Sequence, residues 1–148
     1  MTSGDQVWRS GWRAGALLAL AGCAGRAAPP VSPSLSCTLG DTVLVRETLY
    51  FGRNRPRGGS VSDTEWQDFL SQVITPRFPL GLTVVAATGQ WKGKSGLIEQ
   101  EQSEIVTLFH SGDEAARRAI LEVTTEYKRR FQQEAVLRER VPTCTRFE

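Results

Sequence analysis

The run Thr42-Val43-Leu44-Val45-Arg46-Glu47-Thr48-Leu49-Tyr50-Phe51, followed after a loop by Val61-Ser62-Asp63-Thr64-Glu65-Trp66-Gln67-Asp68-Phe69-Leu70, decides the fold class. In the first stretch Val43, Val45, Leu49 and Phe51 alternate onto one face, interrupted by Glu47. Leu44, Arg46, Thr48 and Tyr50 share the other face. Period-two alternation predicts a strand with one apolar and one mixed face. In the second stretch the period changes. Ser62 stands three residues before Glu65, the spacing of a capping box, and Val61 and Trp66 stand where a hydrophobic staple clamps a helix entry. Trp66, Phe69, Leu70 and Val73 then recur at the spacing of one buried helical stripe. Thr75-Pro76 is expected to end that helix, because proline disfavours a helical residue before it.

Outward from this pair, Gly52–Ser60 reads as a basic, glycine-rich loop. Leu82–Trp91 predicts a second strand, Gly93–Gly96 a turn, and Ile98–Phe109 a third strand that closes a hairpin. The polar first half of that strand suits an exposed end of a sheet. Ser111 and Asp113 offer a second helix start. Ala116, Ala119, Ile120, Val123, Tyr127 and Phe131 form its apolar stripe. A last strand is expected from about Ala135 to Val141, limited by Pro142.

The order strand, helix, strand, strand, helix, strand is that of an α+β, ferredoxin-like βαββαβ fold. It implies a four-stranded antiparallel sheet with two helices on one face. The first and third strands would be central, and Trp66, Phe69, Ile120 and Val123 would fill the core. The other face would be open to solvent, a ligand or a second subunit.

The N-terminal part reads differently. Arg9 and Arg13 precede a short apolar run, Ala14 to Leu20, and then Leu20-Ala21-Gly22-Cys23. The run is shorter than the roughly 20 residues a membrane-spanning helix needs. Its flanks fit a cleaved secretory leader over residues 1–22. The last four residues resemble the lipobox of bacterial lipoproteins, whose cysteine is acylated; the alternative is a leader cut by the general signal peptidase. Ala24 rather than an aspartate follows Cys23, which makes the outer membrane, facing the periplasm, the expected location. The lipid anchor would then make the membrane a partner. Residues 23–36, with Pro29, Pro30 and Pro33, read as an extended stalk. That leaves residues 37–148 for a single α+β domain, a length that folds alone.

The whole chain has a formal net charge of +2. Basic and acidic residues are interleaved, as in Arg138-Glu139-Arg140, so no nucleic-acid partner is indicated. With Cys23 lipidated, Cys37 and Cys144 remain, one at each end of the domain. In an oxidising compartment they are expected to pair, the alternative being two buried thiols. One histidine, His110, and no cysteine at ligand spacing argue against a metal site. No cofactor motif is present.

Several runs carry a resemblance. They are Glu47-Thr48-Leu49-Tyr50-Phe51-Gly52-Arg53, Val61-Ser62-Asp63 with Glu65-Trp66, Thr75-Pro76-Arg77-Phe78-Pro79 leading to Gly81-Leu82-Thr83, Gly89-Gln90-Trp91, and Tyr127-Lys128. Together they resemble a bacterial family known as domain of unknown function 3574, over about Val43 to Cys144. The resemblance implies membership and no mechanism.

The polar residues of these runs are the site candidates. Arg46 and Tyr50 share the mixed face of the first strand. Gln90 and Trp91 close the second. Glu101 and Ser103 lie across the hairpin from them, and Arg77 follows the first helix. Arginine, tyrosine and tryptophan are good recognition residues. The competing reading has Trp91 covering a sheet edge and Arg77 fixing its loop. Glu47 falls on the core-facing side, where a carboxylate needs a partner. An acid–base role competes there with a bulge or an ion pair to an arginine. His110 ends a strand ahead of a helix cap and, as a lone histidine, is expected to be a loop residue rather than a catalyst.

Two classes of function are consistent with this. One is a small ligand- or protein-binding module of the envelope using the open sheet face, through which a homodimer could also form. The other is a small cofactor-independent enzyme using the same face. The lack of a nucleophile motif leans away from catalysis.

Overall fold

The computed structural model describes residues 35–92 and 96–148. The leader, Cys23 and nearly all of the stalk lie outside the described residues, as do the first three residues of the Gly93–Gly96 turn. The described residues belong to one compact unit. Its strands are β1 (Thr42–Gly52), β2 (Leu82–Lys92), β3 (Ile98–His110) and β4 (Leu137–Thr145). Its helices are α1 (Asp63–Phe69), continued by a π turn (Leu70–Ile74) and a 3₁₀ turn (Thr75–Arg77), and α2 (Glu114–Phe131).

The fold is α+β, with a four-stranded antiparallel sheet in the order β2-β3-β1-β4. In the register Leu49 lies opposite Val106 and Tyr50 opposite Ile105, while on the other side Glu47 lies opposite Arg140. One face carries Leu49, Phe51, Val106 and Leu108, and these join residues of both helices in a single core. Trp66, Phe69, Ile120 and Val123 are all buried there. Phe51, Phe69, Tyr127 and Phe131 meet edge to face, with ring centroids 4.7 to 6.1 Å apart, the geometry that aromatic quadrupoles favour.

Local signals account for the helix starts. The Glu65 N–H donates to Ser62 Oγ at 3.2 Å, and the Ser62 N–H donates to Glu65 Oε2 at 2.9 Å. Val61 and Trp66 are both buried beside them. Asp113 caps α2 by accepting from the Ala116 N–H at 2.8 Å. Ser111 supports that cap, donating its hydroxyl to Asp113.

Three expectations need correction. The first helical segment does not stop before Pro76. A π turn widens the ladder, and Pro76 then sits in the first turn of the 3₁₀ segment, where a missing N–H leaves no bond unmade. This broken helix departs from the plain two-helix ferredoxin-like order. β4 does not stop before Pro142 but runs on to Thr145. It is an edge strand, and there proline is tolerated when its N–H side faces solvent. His110 does end its strand, but as the buried last residue of β3 rather than as a loop residue.

Cys37 and Cys144 are joined by a disulfide, with their Cα atoms 5.6 Å apart. Val43 lies opposite Cys144 in the β1–β4 ladder. The bridge therefore fastens the entry of the domain to its last strand, at the end of the sheet opposite Gly52.

Candidate functional site

A cleft of about 380 Å³ opens at the Gly52 end of the sheet. Its floor comes from the face away from the helices. Tyr50 and Gly52 come from β1, and Glu99, Glu101 and Ser103 from β3. Gly89, Gln90 and Trp91 of β2 form one wall. The opposite wall is Asn54-Arg55-Pro56 of the loop after β1, Gln133, Glu134 and Ala135 of the connection into β4, and Leu137 at the start of β4. Residues from four strands and two connections thus converge.

Five of the sequence-predicted residues meet here: Tyr50, Gln90, Trp91, Glu101 and Ser103. Cross-strand register explains it. Gly89 lies opposite Glu101, Ala87 opposite Ser103, and Ser103 opposite Gly52. Arg46 and Arg77 do not join them. Arg46 is on the same face as Tyr50 but four residues nearer the other end, 3.8 Å from Glu139. Arg77 is on the helix layer, donating to Glu122 at 3.0 Å and to the Val73 carbonyl at 2.8 Å.

The loop wall, which the periodicity reading missed, is held by Arg53. This side chain is buried. It donates to the Val61 carbonyl from Nε and Nη2, to Asp63 at 2.7 Å and to Glu104 at 3.1 Å. Burial alone would lower its pKa, but the two carboxylates outweigh that and raise it. With the loop pinned at both ends, the Asn54 carbonyl accepts from Gln133 at 2.6 Å. That bond ties the two connections into one wall. The only sequence signal for it was the polar, glycine-rich character of the loop.

The charges in the cleft are unequal. Arg55 is paired with Glu65 at 2.6 Å. Glu99, Glu101 and Glu134 make no ion pair among the described residues, and Glu101 accepts one hydrogen bond, from the Asn54 N–H at 3.3 Å. Trp91 is 44% exposed, so its ring is available at the rim. The Tyr50 hydroxyl donates weakly to Glu139 at 3.4 Å.

Glu47 belongs elsewhere. It is fully buried, accepts from Arg138 and contacts His110 Nε2 at 3.1 Å, with Arg140 at 4.0 Å. Burial pushes its pKa up, but the hydrogen bonds from Arg138 and His110 outweigh that and hold it below the usual value. It lies on the core side of the sheet and does not line the cleft. It is a paired structural carboxylate, the ion-pair alternative of the sequence reading. Among the described residues no group of three or more His, Cys, Asp or Glu side chains could hold a metal ion.

No curated protein matches this chain in sequence. Solved structures do match in fold. A phage SAM lyase in complex with S-methyl-5′-thioadenosine is 16% identical, with a TM-score of 0.56 over 75% of this chain and 88% of that one. A phage SAM lyase in the apo state is 19% identical, with a TM-score of 0.50 over 74% and 87%. At such identities the likeness concerns the fold. The family described as "Protein of unknown function (DUF3574)" matches residues 46–147, from within β1 to just past β4, and the chain belongs to that family.

Proposed function

We propose that this is an envelope lipoprotein, anchored through acylated Cys23, whose domain binds a small molecule in the cleft at the Gly52 end of the sheet. The observation that carries the binding reading is the convergence of Tyr50, Gln90, Trp91, Glu101 and Ser103 on one concavity. Its volume of about 380 Å³ falls within the range of small-molecule sites, and a few placed polar groups beside aromatic rings are their usual lining. The chain enters the domain at Cys37, at the far end of β1. Eleven residues of strand put about 33 Å between that end and the cleft.

The second reading is a small enzyme without a bound cofactor. The fold likeness to a phage SAM lyase, solved with S-methyl-5′-thioadenosine, favours it. We read the domain as a variant of the ferredoxin-like arrangement, and such folds host both classes.

The test is calorimetric titration of the full-length protein with S-methyl-5′-thioadenosine and S-adenosylmethionine, followed by a wider metabolite screen. Binding that weakens at least tenfold in Trp91→Ala and Tyr50→Ala supports the cleft. Consumption of S-adenosylmethionine by the wild type favours the enzyme. A ligand whose affinity is unchanged in both variants overturns the site.

A further inference from the structure

Gly52 is a strand residue for which glycine is not a matter of backbone conformation, since its φ is not positive. The reason lies across the ladder. A methyl group at Gly52 would stand 2.5 and 2.6 Å from the two carboxylate oxygens of Glu101. Glycine in a strand often marks such a close approach. The Glu101 carboxylate therefore lies directly against the Gly52 Cα, on the cleft floor. From the core side the Tyr127 hydroxyl donates to the Gly52 carbonyl at 3.0 Å. The seat is thus fixed from beneath while the carboxylate rests on top of it.

We propose that Gly52 and Glu101 make the cleft select cationic, flat-ringed ligands, Gly52 acting as the positioning residue that seats the charge. This rests on the reading of the cleft as a binding site. Three carboxylates without an ion-pair partner among the described residues, Glu99, Glu101 and Glu134, face one cation, Arg55, that Glu65 already neutralises. A concave site with one sign of charge concentrates the opposite sign. Glu99 lies opposite Trp91 in the β2–β3 ladder, so the negative charge stands beside an aromatic ring. A tryptophan face attracts cations by its quadrupole. Both elements favour the same ligand chemistry.

The probes are 1-methylnicotinamide and nicotinamide, one ring with and without a fixed positive charge, titrated into the full-length protein. The wild type is expected to bind the cation at least tenfold tighter, about 1.4 kcal/mol, with a preference that falls as salt rises. Glu101→Gln should remove most of the preference. Gly52→Ala should remove it too, although Glu101 is still present, because the added methyl displaces the carboxylate. The double variant Gly52→Ala/Glu101→Asp, whose shorter acid clears that methyl, should recover part of it. A merely structural glycine would not be rescued this way. Thermal unfolding of each variant separates displacement from loss of fold. Equal affinities for the two probes, binding of neither, or a full preference retained in Gly52→Ala overturns the inference. Equal affinities that Trp91→Ala still weakens would leave the binding reading standing, whereas affinities indifferent to Trp91→Ala would remove both.

Discussion

Tyr127, buried on α2, donates its hydroxyl to the carbonyl of Gly52 on β1, 3.0 Å away. One bond thus links the aromatic core to the floor of the cleft. Burial raises the phenol's pKa, which keeps the donor protonated near neutral pH. Tyr127→Phe should keep the ring packing and leave that carbonyl without its donor. The expected loss is about 1–3 kcal/mol of unfolding free energy, read from urea titration.

The Glu47 cluster should govern acid stability. The folded-state pKa of Glu47 lies below its ordinary value of 4.5. A depressed carboxylate contributes stability that is fully present above its unfolded pKa and is lost as pH falls through the folded one. Glu47→Gln should therefore flatten the acid limb of stability against pH below about 4.5. Glu47→Ala should cost about 3 kcal/mol near neutrality, the low end for a broken buried pair, because Arg138 and Arg140 can still reach water.

Arg53 closes the loop wall of the cleft through one guanidinium and three acceptors. Arg53→Lys keeps the charge but cannot reproduce the planar fork, and it leaves Glu104 buried with a weaker partner. Unfolding free energy should drop by about 3 kcal/mol. Limited proteolysis should then cut within residues 54–60, which the wild type should resist.

Reduction of the Cys37–Cys144 bridge frees a sequence separation of 107 residues. In the chain-entropy model this costs roughly 4–5 kcal/mol. The thermal midpoint should fall clearly in reductant, and Cys37→Ser/Cys144→Ser should match the reduced wild type. Equal midpoints with and without reductant would show that the bridge contributes nothing.

For the anchor, the wild type expressed in a bacterial host should incorporate labelled palmitate and fractionate with membranes. Cys23→Ser should do neither. An unlabelled wild type would remove the lipoprotein proposal and leave the domain's chemistry untouched.

Much of the site was legible in the residues. Alternation put Tyr50 on the face opposite Leu49 and Phe51, and the hairpin put Glu101 and Ser103 across from the region of Gln90 and Trp91. The face was therefore readable, whereas the pairing of Gly89 with Glu101 and Ala87 with Ser103 came from the structure. Arg46 shares the face but not the depth, since four residues of strand carry it about 13 Å from Tyr50. Periodicity does not say where along a face a cleft opens. Arg77 follows the competing reading, in which it fixes its own segment: it bonds the Val73 carbonyl and reaches Glu122, 45 residues away in sequence, which no local pattern gives.

What the amino-acid sequence determined by itself was local. The alternation of Thr42–Phe51, the Ser62–Glu65 capping box, the Asp113 cap and the stripe through Phe131 depend on bonds spanning a few residues. Such signals survive without the rest of the chain. The partners of the buried Glu47 carboxylate, the Arg53 hub, the passage of β4 through Pro142 and the seat of Glu101 on Gly52 were decided only by tertiary structure. Each depends on which strand lies beside which, and in what register. Long-range packing sets both at once, because a one-residue slip would turn every core side chain outward.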